Sequence, residues 1–418
     1  MNRRSRVAQP TQPSAMVVTN VRRFLFGQSL SNIGTFFQII AQALLVLELT
    51  GSGLALGLVS AAQFLPLLLF APVAGVWIDR IRIPRLLSIT ASIAGLEALT
   101  LGILTATGQV TIGWIFGLTL VLGIAQVGDR AAGQAFLTEL VGSELLPSAV
   151  GLAAVANSVG RLGGPAIAAA LYAWQGPAAC FFFNAASYLA VVVSIALLRR
   201  RELLPRTPQS RRPRQLRDGI IVAWRTPVLR RVLLANAVIG GFTFNFPAFY
   251  SSLCSLTFGA GAGAFGLAET LNAITAVAGG FLLARRFRKP TLGTYAAAAA
   301  ALGASLLYSA VSPTLLVFLI GMPYFGLAVV SYQIVAQVIV QQHTPDGMHG
   351  RMMSLLNVGT QGVAAIGGVA TGWLTDAISP RASLALGGLV PVLCALIVIS
   401  TRTLGATHRG NEHAAVPV

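Results

Sequence analysis

The chain has 418 residues, of which 55% are hydrophobic and only 10% charged, and its mean hydropathy is +0.75. Soluble globular proteins carry roughly 25% charged residues, so this composition excludes one and implies a polytopic membrane protein. The net charge of +17 would suit nucleic acid, but the arginines gather in short links between apolar runs. That is a pattern of topology and anionic-lipid contact, and no nucleic-acid partner is expected.

Residues 1–23 form a polar, basic, Pro-containing tail without the apolar centre of a signal peptide. Twelve apolar runs follow, each near the ~20 residues that cross a bilayer as a helix. They cover roughly 24–48, 54–78, 86–107, 111–137, 147–173, 177–198, 229–256, 263–284, 291–311, 314–340, 351–375 and 382–401. They divide into a six-helix bundle over 24–198, an Arg-rich linker over 199–228, a second bundle over 229–401 and a tail over 402–418. The expected fold class is an all-α membrane protein of twelve transmembrane helices in two six-helix bundles. The linker reads equally as a membrane-surface helix around Gln215–Thr226 or as a disordered basic segment.

Alternate links differ in charge. Those at Thr50–Gly53, Thr107–Gln109, Gln175–Pro177 and Ser312–Pro313 lack Lys and Arg. The others hold Arg80, Arg82 and Arg85, then Arg199 to Arg231, then Arg285, Arg286, Arg288 and Lys289, then Arg351. Arg381 is the main exception. The alternation places both termini in the cytoplasm and the protein in the cell (inner) membrane.

In span one, Ser31, Thr35, Gln38 and Gln42 follow helical spacing and form one polar stripe. It reads as a cavity face or as interhelical hydrogen bonding. Charges inside spans are costly and point to function. They are Glu97 in span three, Asp129 and Arg130 in span four, Arg161 in span five and Glu269 in span eight. Asp129, beside Arg130 and Arg161 as buried charge partners, could alternate between paired and protonated states or form a fixed ion pair. Glu97 and Glu269 are further proton-coupling candidates. Span five also carries Gly151, Gly160, Gly164 and Pro165. Gly160, Gly164 and Ala168 recur every four residues, a stripe that lets another helix approach. Span seven has Asn245 and Phe246, and span ten has Gln333 and Gln337 one turn apart. These amides and aromatics suit a bulky, mostly apolar ligand with a few polar handles.

Cys180, Cys254 and Cys394 lie in separate apolar segments, and no Cys/His cluster has metal spacing. No Gly-x-x-x-x-Gly-Lys-Ser/Thr occurs. No metal, no cofactor and no enzyme activity are expected.

The stretch from Gly75 through Asp79 and Arg80 to Arg85 resembles the signature between helices 2 and 3 of the major facilitator superfamily. Arg82 and Pro84 depart from it. The loop also aligns internally: Arg80 falls on Arg286, Arg82 on Arg288, Pro84 on Pro290 and Leu86 on Leu292. Span five is similar to the superfamily pattern associated with drug–proton antiporters, with Ala168 and Ala169 in place of its last two glycines. Leu30–Gln38, Glu48–Ser52, Asp129 to Val141, Gly350–Ser354 and Gly372–Asp376 resemble the branch of macrolide-efflux proteins and the enterobactin exporter. The resemblance implies two pseudo-symmetric bundles, a gating role for Gly75, Asp79, Arg80 and Arg85, and a cavity lined by spans one, four, seven and ten.

The expectation is a monomeric secondary transporter that exports a small amphipathic molecule (drug-, macrolide- or siderophore-like) by alternating access. Its partners would be that substrate, protons and membrane lipid. The alternatives are an importer or lipid transporter of the same fold. A membrane scaffold or receptor would need soluble domains or large loops that the chain lacks.

Overall fold

The computed structural model describes residues 15–78, 81–204, 215–286, 289–345 and 348–413, and every long element among them is a helix. The first five are α1 (Thr19–Thr50), α2 (Gly53–Ile78), α3 (Ile83–Ala106), α4 (Ile112–Gln175) and α5 (Pro177–Ala196). Their ends follow local chemistry. Gly51, at φ 60°, closes α1 with its N–H on the Leu47 carbonyl. Thr111 caps α4, and prolines sit in the first turns of α3 and α5. Gly142, at φ 71° and ψ −177°, breaks α4 into two arms, 112–141 and 143–175.

The linker contributes α6 (Gln215–Arg225), where a Cβ on Gly219 would come within 3.4 Å of Arg351 Cβ and Trp224 is exposed. Then come α7 (Pro227–Thr243), α8 (Phe246–Ser252), a π-helical turn (Leu253–Thr257), α9 (Gly261–Arg286), α10 (Leu292–Val311) and α11 (Leu315–Gln342). The last are α12 (His349–Asn357), a second π-turn (Val358–Gly362), α13 (Ala364–Ala377) and α14 (Pro380–His413). The seventh expected span is thus α7, α8 and a π-turn, and the eleventh is α12, a π-turn and α13. α14 runs past residue 401, where the expected tail begins.

Ten stretches among the described residues are long and apolar enough to cross a membrane, where twelve were expected. The other two expected spans, 147–173 and 263–284, lie in the second arm of α4 and in α9. Both are helical, and each includes side chains outside the described residues. The chain is a multi-pass membrane protein. Its outward side chains agree: Leu189, Leu316 and Ile320 are 62%, 68% and 66% exposed, as lipid contact requires.

α1 to α5 pack into one bundle and α7 to α14 into the other. Fully buried rings fill them: Phe37 and Phe181 in the first, Tyr250, Tyr295, Phe318, Phe325 and Tyr332 in the second. The bundles meet along two seams, α2 against α13 and the second arm of α4 against α9. The first is a backbone crossing. A Cβ on Gly57 would overlap the Gly368 carbonyl, and one on Gly372 would overlap that of Gly53. At its end, Asp376 of α13 accepts hydrogen bonds from Ser52 Oγ, Gly53 N and Leu54 N at the start of α2. In the second seam Gly266 lies against Ala169. Nearby, Tyr172 Oη donates to Glu48 Oε1. The end of the molecule that carries the Gly51 turn is therefore sealed.

Candidate functional site

Cavity space lies below the sealed end in two parts that share Phe244, the first between the bundles and the second lined by the second bundle alone. Its first part is lined by Thr35, Gln38 and Gln42 of α1, Gln63 and Phe64 of α2, Gln126 of α4, Asn184 and Tyr188 of α5, and Phe244 and Asn245. Its second part is lined by Asn236, Gln333 and Gln337 of α11, and Asn357, Thr360 and Gln361. Phe244 borders both parts.

Helix periodicity explains the α1 face. Thr35, Gln38 and Gln42 recur at three and four residues and share one side of the helix. Gly34 brings α5 close: a Cβ there would come within 2.6 Å of Asn184 Oδ1. Gln38 then sits where three helices meet. Its Nε2 donates to both oxygens of Glu97 at 3.0 Å, and its Oε1 accepts from Asn184 Nδ2. Glu97 is 3% exposed, so this acid lies behind the cavity wall and reaches it through one amide. Gln42 donates to Thr119 Oγ1 at 2.9 Å. Ser31 is buried one turn earlier and does not line the described cavity.

Asp129 is half-buried and accepts from Thr90 Oγ1 at 3.4 Å. Arg130 corrects an expectation. It is exposed rather than buried, and its guanidinium donates to Gln361 of the other bundle. Successive residues of a helix point about 100° apart, so Asp129 and Arg130 face different surroundings. The side chain of Arg161 lies outside the described residues. Glu269 is buried in α9 and accepts from Asn272 Nδ2 at 3.2 Å, away from the lining.

Phe246 is a second correction. It packs into the second bundle, 5.1 Å from the Phe325 ring, and Phe244 takes the place at the cavity. The helix breaks between α7 and α8, which resets the facing of the residues after it. Asn245 does line the cavity, and its Nδ2 donates to the carbonyls of Gly241 and Ala364 at 3.0 and 3.1 Å. Gly160 and Gly164 face α1, where a Cβ would come within 2.9 Å of Asn32 and 2.8 Å of Phe36. Pro165 is buried beside them, its carbonyl near Gly266. Gly151 is a third correction: open space surrounds it, so it serves no helix crossing. Gly75 lies in the last turns of α2, and Arg85 is exposed at the start of α3. Asp79 and Arg80 lie outside the described residues.

Sequence reasoning missed Gln63, Gln126, Asn184, Asn236 and Gln361. A signal existed for two of them. Gln63 is the one amide of the run 54–78, and Asn184 that of 177–198.

A family model described as "transmembrane secretion effector" matches residues 13–415. The chain is 28% identical over 268 residues to an uncharacterized MFS-type transporter of Sinorhizobium fredii, a match covering 61% of this chain and 63% of that one. It thus spans less than two thirds of that relative's length. It is 23% identical over 420 residues to the multidrug efflux pump Tap of Mycolicibacterium fortuitum, covering 91% and 97% of the two chains. Its fold is similar to that of a bacterial homolog of the human lysosomal transporter Spinster. The TM-score is 0.73 at 12% identity, over 92% of this chain and 96% of that one.

Proposed function

Because the chain belongs to the transmembrane secretion effector family of the major facilitator superfamily, we propose that it exports a small molecule by alternating access, driven by proton entry. Export is what the name of the mycobacterial relative records for that protein. The arginine alternation puts both termini inside the cell. The sealed end is then outside, and the cavity belongs to an inward-facing state.

One observation carries the coupling: Gln38 lines the cavity while bonding Glu97. An ionised carboxylate only accepts hydrogen bonds, so it holds the NH2 end of the Gln38 amide. A protonated carboxyl can donate, and the carbonyl end can then turn toward it. The proton on Glu97 thereby sets which pole of Gln38 remains for Asn184 and for a ligand. Ligand and proton compete through one side chain, as exchange requires. Among the described residues Asp129 hydrogen-bonds Thr90, outside the lining, and it ranks behind Glu97 together with Glu269, which lies away from the lining.

The test is transport by the purified full chain in liposomes with an imposed pH gradient. Glu97→Gln keeps the size and loses the proton, so it should abolish uphill accumulation and spare downhill exchange. Wild-type accumulation by the variant would remove Glu97 from the coupling and leave Asp129 and Glu269. Flux in the opposite direction, in vesicles of known orientation, would make the protein an importer.

A further inference from the structure

The charge pattern of the cavity restricts what it can hold. Its described lining contains eleven amide side chains and not one charged residue. Some amides are committed to the protein, as Gln38, Gln42, Asn236 and Asn245 are. Five are not. Gln63 and Gln126 in the first bundle, and Gln333, Gln337 and Asn357 in the second, have no side-chain hydrogen-bond partner among the described residues. Each presents two donors and an acceptor. They therefore offer up to ten donors and five acceptors from both sides of the seam.

The nearby charges are already engaged, two of them on lining amides. Glu97 is held behind Gln38, Asp129 receives Thr90, and Arg130 reaches Gln361. An ammonium or a phosphate entering this space would leave water and meet only charges already committed to lining amides, a costly transfer. Hydroxyl and carbonyl groups would exchange hydration for amide hydrogen bonds at little loss. Phe64, Tyr188 and Phe244 add flat walls for an apolar face.

We infer that the cavity selects an uncharged molecule rich in hydroxyl and carbonyl groups with one flat apolar face, of the kind an aromatic glycoside represents, over lipophilic cations and over anions. This inference rests on the reading of the cavity as the transport site, and it narrows the expected ligand from mostly apolar to hydrogen-bond-rich.

Equilibrium dialysis of the full chain in nanodiscs, with three fluorescent probes, tests it. Methylumbelliferyl β-glucoside is neutral, methylumbelliferyl phosphate is anionic and ethidium is cationic. The glucoside should bind saturably and at least about tenfold tighter than either of the others, the factor that separates one to two net hydrogen bonds. Gln63→Leu, Gln126→Leu, Gln333→Leu and Gln337→Leu should each weaken the glucoside about two- to twelvefold. They should leave ethidium no weaker and the thermal midpoint unchanged, which sets lost contacts apart from lost folding. Equal or tighter binding of ethidium or of the phosphate would overturn the inference. So would four variants that bind the glucoside like the parent, or a glucoside that does not saturate. Transport in liposomes separates this from the proposed function. Selective glucoside binding without gradient-driven flux sinks the export reading and leaves the selectivity standing. Gradient-driven flux of ethidium in preference to the glucoside does the reverse.

Discussion

Asp376 gives the start of α2 hydrogen-bond acceptors that a helix usually draws from its own chain. The first N–H groups of a helix have no internal partner, and the dipole there favours an anion. Here Gly53 N and Leu54 N both donate to a carboxylate of the opposite bundle. The cap exists only while the bundles touch at that end, so it stabilises one state and not the other. Asp376→Ala should cost that state about 1 kcal/mol, the usual loss of a cap, and shift the equilibrium about fivefold toward the open end. Distances between spin labels at positions 51 and 378 would report it; an unchanged distribution would mean the cap is not a latch. Gln38 and Glu97 were legible in the sequence as a polar stripe and a buried acid. Their meeting with Asn184 was not, because it depends on how closely α5 crosses α1.

At the scale of elements, the α2–α13 seam has no room for a side chain. Gly57 and Gly368 place backbone on backbone, and Gly53 with Gly372 repeats the contact one turn further on. Gly57→Val should prevent sealing, at about 1–3 kcal/mol of overpacking in the sealed state alone. The variant should insert and fold, yet lose most transport; a normal rate would mean the seam parts too little for the contact to matter. The helices themselves were readable from apolar runs and turn residues, since length and hydropathy set them. The break at Phe244 and Asn245 was missed although Pro247 signals it: this proline sits in the first turn of α8 and has no N–H for the Thr243 carbonyl at the end of α7. Phe246 was misplaced for that reason. Gly151 was misplaced because a motif match says nothing of where along a helix the crossing falls.

For the molecule as a whole, sidedness decides the meaning of every gate. Fluorescent reporters placed after Val418 and within residues 205–214 should both report the cytoplasm, by the arginine alternation. An outside signal from either would invert the inward-facing assignment. The two halves must then move against each other, and the π-turns at Leu253–Thr257 and Val358–Gly362 bear on how. Each stores one surplus residue in a helix that borders the cavity. Such a surplus behaves as a dislocation does in a crystal: it can glide along the helix, exchanging one hydrogen bond at a time. The segment it sweeps turns by about 100°. In the second case the dislocation is pinned, because Asn236 holds the Leu356 carbonyl and the Thr360 hydroxyl. Once that hold is released, such slack lets the helix re-aim Gln361 without melting a single turn.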